Sequence, residues 1–144
     1  MSNRLDVKEV LKSAGWFEGR KIDTSDMEKK YKEFGYQLFS AVLKFLEEFG
    51  NLAIVNTELE EHHHTSPEKV LCEYFKNGKF KDEERYAGER LVLVGETCDR
   101  NLLLFVSESG KIYNGTGKLG DSTWEAWEAI INKIGENYKA WGSF

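Results

Sequence analysis

A chain of 144 residues with 40% hydrophobic content and a formal net charge of −5 can bury one core, and it offers no basic stripe with which to displace counterions from a nucleic acid. Cys72 and Cys98 form neither a CxxC pair nor a disulfide framework, which points to thiols in a reducing compartment. The stretch MSNRLDVKEVLKSAG lacks the apolar core of a signal peptide and no apolar run reaches the roughly 20 residues of a membrane span, so a cytoplasmic, non-membrane protein with one domain over residues 1–144 is expected.

A first helix is expected from about residue 4 to Ala14, where Leu5, Val7, Val10 and Leu11 form one stripe and Gly15 stops it in a left-handed conformation. DTSDMEKKYKEFGYQLFSAVLKFLEEFG follows. Met27, Tyr31, Phe34, Leu38, Val42, Phe45, Leu46 and Phe49 recur there at helical spacing, which predicts a long helix capped by Thr24 or Ser25 and closed by Gly50. Gly35 inside it costs about 1 kcal/mol of helix propensity and marks the place for a kink or a close backbone contact.

Beyond Gly50 the period shortens. LAIVNTELE reads as a buried strand and EHHHTS as a second short one ending at Pro67, the single proline. SPEKVLCEYFKNGKF carries a Ser66 cap, Pro67 at the first helical position and Val70, Leu71, Tyr74 and Phe75 at helical spacing. KDEERYAGER reads as a charged connector. RLVLVGE, NLLLFVSE and KIYNGT are three short apolar runs separated by the turns CDRN and SGK, as in a meander. The glycine-rich stretch after them reads as a loop. DSTWEAWEAIINKIG closes as a helix with Ser122 or Thr123 as cap, Glu125 in a capping box, and Trp124, Trp127, Ile130, Ile131 and Ile134 on its apolar side. Clustered rather than strictly alternating strands predict an α+β fold, a mostly antiparallel sheet with helices packed around it. The aromatics Trp124, Trp127, Tyr138, Trp141 and Phe144 are expected to complete the core, with an exposed contact patch as the alternative.

Motifs for catalysis are weak. His62, His63 and His64 follow Glu60 and Glu61, but adjacent side chains on a strand point to opposite faces, so three consecutive histidines do not converge on one ion without help from elsewhere. The run is expected to be polar and exposed, and neither a metal nor another cofactor is expected. ESGKIYNGTGKLGDS does not satisfy GxxxxGK followed by Ser or Thr, so it is no phosphate loop. With every histidine in one run and no GxSxG, a nucleophile has few bases to activate it, and an enzyme is not expected. The charge is unevenly spread. Residues 51–100 hold seven basic and eleven acidic side chains, whereas residues 1–50 hold nine of each. An acidic surface speeds encounter with basic partners.

The stretch AGWFEGRK sets Trp16 and Phe17 between glycines and adds Arg20 and Lys21. Two readings stand for it. Trp16 packs on the long helix while Arg20 pairs with a carboxylate, or the two residues belong to a partner-binding surface, where Trp and Arg are enriched as hot spots.

The ordered set AGWFEGRK, FGYQLFSAVLKFLEEFGNLAI, LVLVGE, LLLFVSESGKIY and GDSTWEAWEAII resembles the SUKH superfamily of bacterial immunity proteins, most closely its third group. The matching positions are Gly15, Trp16 and Arg20 after the first helix, Phe45, Leu46, Phe49 and Gly50 in the FLxxFG-type motif, Gly95, the hairpin with Gly110 and Tyr113, and the helix after Ser122. The sequence LVLV before Gly95 departs from the family, which often has a proline-containing turn there.

The resemblance implies a stoichiometric inhibitor. Such proteins are encoded beside polymorphic toxins, often nucleases, and protect the producing cell by binding the toxin domain. A toxin domain is thus the implied partner, and because nuclease toxins are often basic, the acidic composition leads to the expectation of an acidic concave face whose candidate contacts are Glu58, Glu60 and Glu61 on the first strands and Asp82, Glu83 and Glu84 on the connector. A general protein-interaction or ligand-binding module of the same fold is the alternative, and a small metal enzyme built on the histidine run is the rival from another class.

Overall fold

In a computed structural model of the chain, residues 5–56, 60–133 and 138–142 are described. Among the described residues, six α-helices, a short 3-10 turn and seven strands run in the order α1 (Val7–Ser13), α2 (Ser25–Glu33), α3 (Ser40–Phe49), β1 (Ala53–Asn56), β2 (Glu61–His64), α4 (Pro67–Val70), the 3-10 turn Glu73–Phe75, α5 (Lys81–Ala87), β3 (Leu91–Thr97), β4 (Leu102–Ser107), β5 (Ile112–Asn114), β6 (Gly117–Gly120), α6 (Thr123–Asn132) and β7 (Lys139–Ala140). The strands form one sheet in sequence order, β1 to β7, and every neighbouring pair is antiparallel. The fold is α+β, as the clustered strands predict.

Helix α3 is the central buttress. Val42, Phe45, Leu46 and Phe49 fall at helical spacing and are all buried, and the helix packs on β4. Phe45 and Val106 line one cleft, whereas Phe105, its neighbour on β4, meets the ring of Phe80 at 4.8 Å. Adjacent residues of a strand face opposite sides, so α3 covers one face of the sheet and the start of α5 the other. Helix α6 joins α3 through Trp127, whose ring lies 5.6 Å from Phe49 and 6.3 Å from Phe45.

Several elements differ from the sequence reading, each for a local reason. The long helix expected after Thr24 is two helices. Gly35 takes φ +81°, a left-handed conformation that ends α2, and residues 36–39 are non-helical, with Phe39 extended, before α3 begins. The apolar stripe continues across this break because both helices bury the same kind of face, and periodicity alone does not register the stop. The connector KDEERYAGER is not a connector: α5 occupies it, ending on Gly88 in the left-handed region. Its Glu84 accepts from the backbone N–H of Leu91 at 2.9 Å, so a charged side chain ties the helix to the sheet. The helix read through Phe75 stops at Val70, with Leu71 already extended, and the loop read at residues 117–120 is β6. The first helix begins at Val7, capped by Asp6, rather than near residue 4. At α6, Ser122 caps Glu125 N as expected, but Glu125 reaches the N–H of Asp121 at 2.7 Å rather than that of the cap residue.

Among the C-terminal aromatics, Trp127 is fully buried and Trp141 stacks on Tyr113 at 5.2 Å, while Trp124 and Tyr138 are each 38% exposed. Phe144 and Ile134 lie outside the described residues. No helix among the described residues is long and apolar enough to cross a membrane.

Candidate functional site

The stretch AGWFEGRK forms a clamp on the end of α3. Gly15, at φ +113°, turns the chain out of α1 and drops the Trp16 indole into the core, where it is 2% exposed. The ring stacks on Phe49 at an interplanar angle of 7° and stands edge-on to Trp124 with centroids 5.5 Å apart. Its Nε1 donates to the Glu48 carboxylate at 3.0 Å. Arg20 donates through Nη1 to the Glu48 carbonyl at 2.7 Å and through Nη2 to the Gly50 carbonyl at 2.8 Å. The last carbonyls of a helix have no intrahelical donor and carry its partial negative charge, so the guanidinium satisfies both deficits at once. The expected partition is thereby corrected in one respect: Trp16 takes the carboxylate and Arg20 takes backbone carbonyls, because the fork of the guanidinium matches two oxygens one turn end presents together. Partial burial lowers the Arg20 pKa from its ordinary value.

The described acidic positions fall on β2 with the residue before it and on α5. Glu60 is exposed beside β2 with φ +52°, and Glu58 lies outside the described residues. Glu61 is half-buried and holds Lys133 Nζ at 2.6 Å. On α5, Asp82 pairs with Arg85 at 3.4 Å with both side chains well exposed, Glu83 is half-exposed, and Glu84 binds Arg90 Nε at 3.1 Å besides capping β3. The partners of Glu61 and those of Glu84 have no residue in common. Glu60, Asp82 and Glu83 keep the most freedom to meet another molecule.

The histidine run is more buried than its polarity suggests. Pairing of β2 with β1 and β3 encloses His63 and His64, which are 3% and 8% exposed, and leaves only His62 in solvent. This corrects the expectation of an exposed run; the strand is interior to the sheet and its histidines take structural partners. His64 Nδ1 accepts the Ser66 N–H at 3.1 Å and its Nε2 meets Glu96 at 2.8 Å. His63 Nδ1 accepts the Cys98 N–H at 3.1 Å. Burial is the main cause that pushes the His63 pKa down to about 4, against the raising influence of Glu61.

One ligating atom from each of Glu61, His63 and Cys98 lies within 4.8 Å of the others, a spacing a metal would accept. The donor chemistry does not suit one. A ligating histidine donates a proton from its second nitrogen. Here His63 Nδ1 accepts one, so the neutral ring carries its proton on Nε2, the atom nearest Glu61 at 3.5 Å. The cation of the cluster is Lys133, bound to Glu61 and 3.5 Å from Cys98 Sγ, and these contacts raise its pKa against the opposing effect of burial. Sequence reasoning had no signal for Lys133 or Cys98 here; they arrive from α6 and the β3–β4 turn.

That turn is itself unusual. Cys98, Asp99 and Arg100 all have positive φ, at +54°, +57° and +71°. Asp99 holds them in place by exchanging bonds with β2: its N–H donates to His62 O at 2.9 Å and its carboxylate accepts the His62 N–H at 2.8 Å.

The family model of the SUKH-3 immunity proteins matches residues 4–133 of the chain. No curated protein and no solved structure matches it.

Proposed function

We propose, because the chain belongs to the SUKH-3 immunity protein family, that it neutralises a cognate toxin domain by binding it one to one and occluding its working cleft. The observation that carries this reading is the match of the family over residues 4–133, which takes in every element from α1 to α6. The net charge of −5 supports a basic partner, and a nuclease toxin is basic because its substrate is a polyanion. The chain acts in the cytoplasm of a bacterial cell as one domain, as an inhibitor rather than a catalyst.

Glu60, Asp82 and Glu83 serve as acidic contacts, and Glu58, Glu61 and Glu84 add to the negative charge that the partner meets. Lying in more than one place, they act chiefly on the rate and orientation of encounter, since charge at a distance steers association. Trp16 and Arg20 contribute to the partner surface by fixing the turn between them.

The test is a titration of toxin activity with the purified protein. Toxin activity that falls linearly and is abolished at one equivalent supports occlusion. Inactivation by a small fraction of an equivalent means the protein acts catalytically and rejects the reading.

A further inference from the structure

Cys98 is half-buried in the β3–β4 turn, and the groups around it place its sulfur. Its backbone sits in the left-handed region at φ +54°, and its N–H donates to His63 Nδ1 at 3.1 Å. The turn is therefore fixed to β2 at this residue, and the thiol has little freedom to swing away. Lys133 Nζ lies 3.5 Å from Cys98 Sγ and 2.6 Å from Glu61 Oε1, so a carboxylate holds the ammonium against the sulfur. A cysteine reacts as its thiolate, and a partly exposed sulfur beside a lysine ammonium is one of the settings in which cysteines react.

A second feature points into the same place. The His63 side chain is 1% exposed, and its Nδ1 is occupied as an acceptor, so the neutral ring carries its proton on Nε2. Among the described residues that N–H has no hydrogen-bond partner. Glu61 Oε1 stands 3.5 Å away, beyond an ordinary N–H to oxygen bond, and Lys133 already holds it. A buried donor left open is costly and calls for an explanation. A ring nitrogen of His63 lies within 4.8 Å of the Cys98 sulfur, so an oxygen atom carried by that sulfur is the acceptor this donor lacks.

From this juxtaposition we propose that Cys98 is an oxidation site, which takes one oxygen from hydrogen peroxide and keeps it as a sulfenic acid between His63 and Lys133. The thiolate sulfur attacks one peroxide oxygen, and an S–O bond forms as the O–O bond breaks. Sulfur loses two electrons and the peroxide gains them. The leaving hydroxide takes up the proton that the thiol gave and departs as water. His63 Nε2 and Lys133 Nζ then donate to the sulfenic oxygen. The step is reversible in a reducing compartment: one small thiol displaces the oxygen as water to form a mixed disulfide, and a second releases the Cys98 thiol. Cys72, the other cysteine, is exposed and outside this cluster. The inference is independent of the immunity reading, and its test needs no toxin.

The experiment exposes the whole wild-type chain to hydrogen peroxide, traps sulfenic acid with dimedone at timed intervals and reads the adduct at each cysteine by peptide mass spectrometry. Lys133→Gln is run beside it, with a melting curve for each protein. The expected result is trapping at Cys98 at least about tenfold faster than at the exposed Cys72, and abolished when dithiothreitol is added before dimedone. Lys133→Gln is expected to slow trapping at Cys98 at least about fivefold and to leave Cys72 unchanged. Wild-type Cys98 trapped no faster than Cys72 overturns the inference, and so does a folded Lys133→Gln protein with the wild-type rate at Cys98. If Lys133→Gln melts early, nitrogen NMR of the imidazole in Cys72→Ser keeps the test open: the His63 Nε2 signal is expected to shift on oxidation, and an unmoved signal overturns the placement of the oxygen.

Discussion

Arg20 closes the end of α3 by donating to the Gly50 carbonyl at 2.8 Å, thirty residues away in sequence. Together with its bond to Glu48 O, this places a charged fork on the part of a helix that has most need of donors. Replacing Arg20 by Lys leaves one point donor for two carbonyls. Arg20→Lys is expected to lose about 1–2 kcal/mol and Arg20→Ala about 2–3 kcal/mol of stability in denaturant unfolding, given the worth of charge-assisted bonds. Equal stability of all three proteins would mean the fork is ornamental.

Trp16 is expected to act through the core. Trp16→Ala removes a ring that is 2% exposed and packed on Phe49 and Trp124, and it should cost about 3–5 kcal/mol. Thermal melting checks this. Unchanged melting with lost toxin binding would move Trp16 itself to the partner surface.

At Gly95 the chain of β2 passes so close that an added Cβ would collide with the His64 carbonyl oxygen, which is backbone and has little room to yield. The β3–β4 register shifts between Leu93 and Gly95, so the bulge and the close approach coincide. Gly95→Ala is expected to destabilise by about 2–3 kcal/mol and to separate β2 from β3, which amide hydrogen exchange at His64 and Glu96 would report. Native-like protection there would contradict the packing.

His63 sets a pH dependence. Burial depresses its folded-state pKa to about 4, below the ordinary 6.5. The unfolded chain therefore binds the proton more readily between these values, and stability is full above about pH 6.5 and falls as pH drops toward 4. The loss has an upper bound of about 3 kcal/mol for this one group. His63→Gln keeps an acceptor for the Cys98 N–H and removes the titration, so its unfolding free energy should be flatter over pH 4–6.5 than that of the wild type. Parallel pH profiles for the two proteins would assign the acid loss to other groups.

The parts legible in the sequence are those where burial leaves a local pattern, a stripe on a helix covered on one side or a continuous apolar run in a strand covered on both. The stripe of α3, the apolar runs of β3 and β4 and the Ser122 cap follow from local pattern, and the α+β fold follows from their order. What escaped depends on side-chain partners that a hydrophobic pattern does not register. Helix α5 is held by Glu84 reaching Leu91 N, so charge concealed it. His63 is enclosed by the pairing of β2 with its neighbours, and its polar surroundings come from Cys98, Glu61 and Lys133 on three elements. The pairing of Trp16 and Arg20 with the end of α3 was half visible: the residue types announced an anchor or an interface, and only the fold assigns the carboxylate to one and the carbonyls to the other.

The most direct test of the immunity reading is co-expression with the toxin domain of the neighbouring reading frame, scored together by cell survival and by recovery of a complex. The account predicts survival and a stable one-to-one complex that persists through purification. Survival with free, unaltered toxin recovered from the same cells would contradict neutralisation by binding.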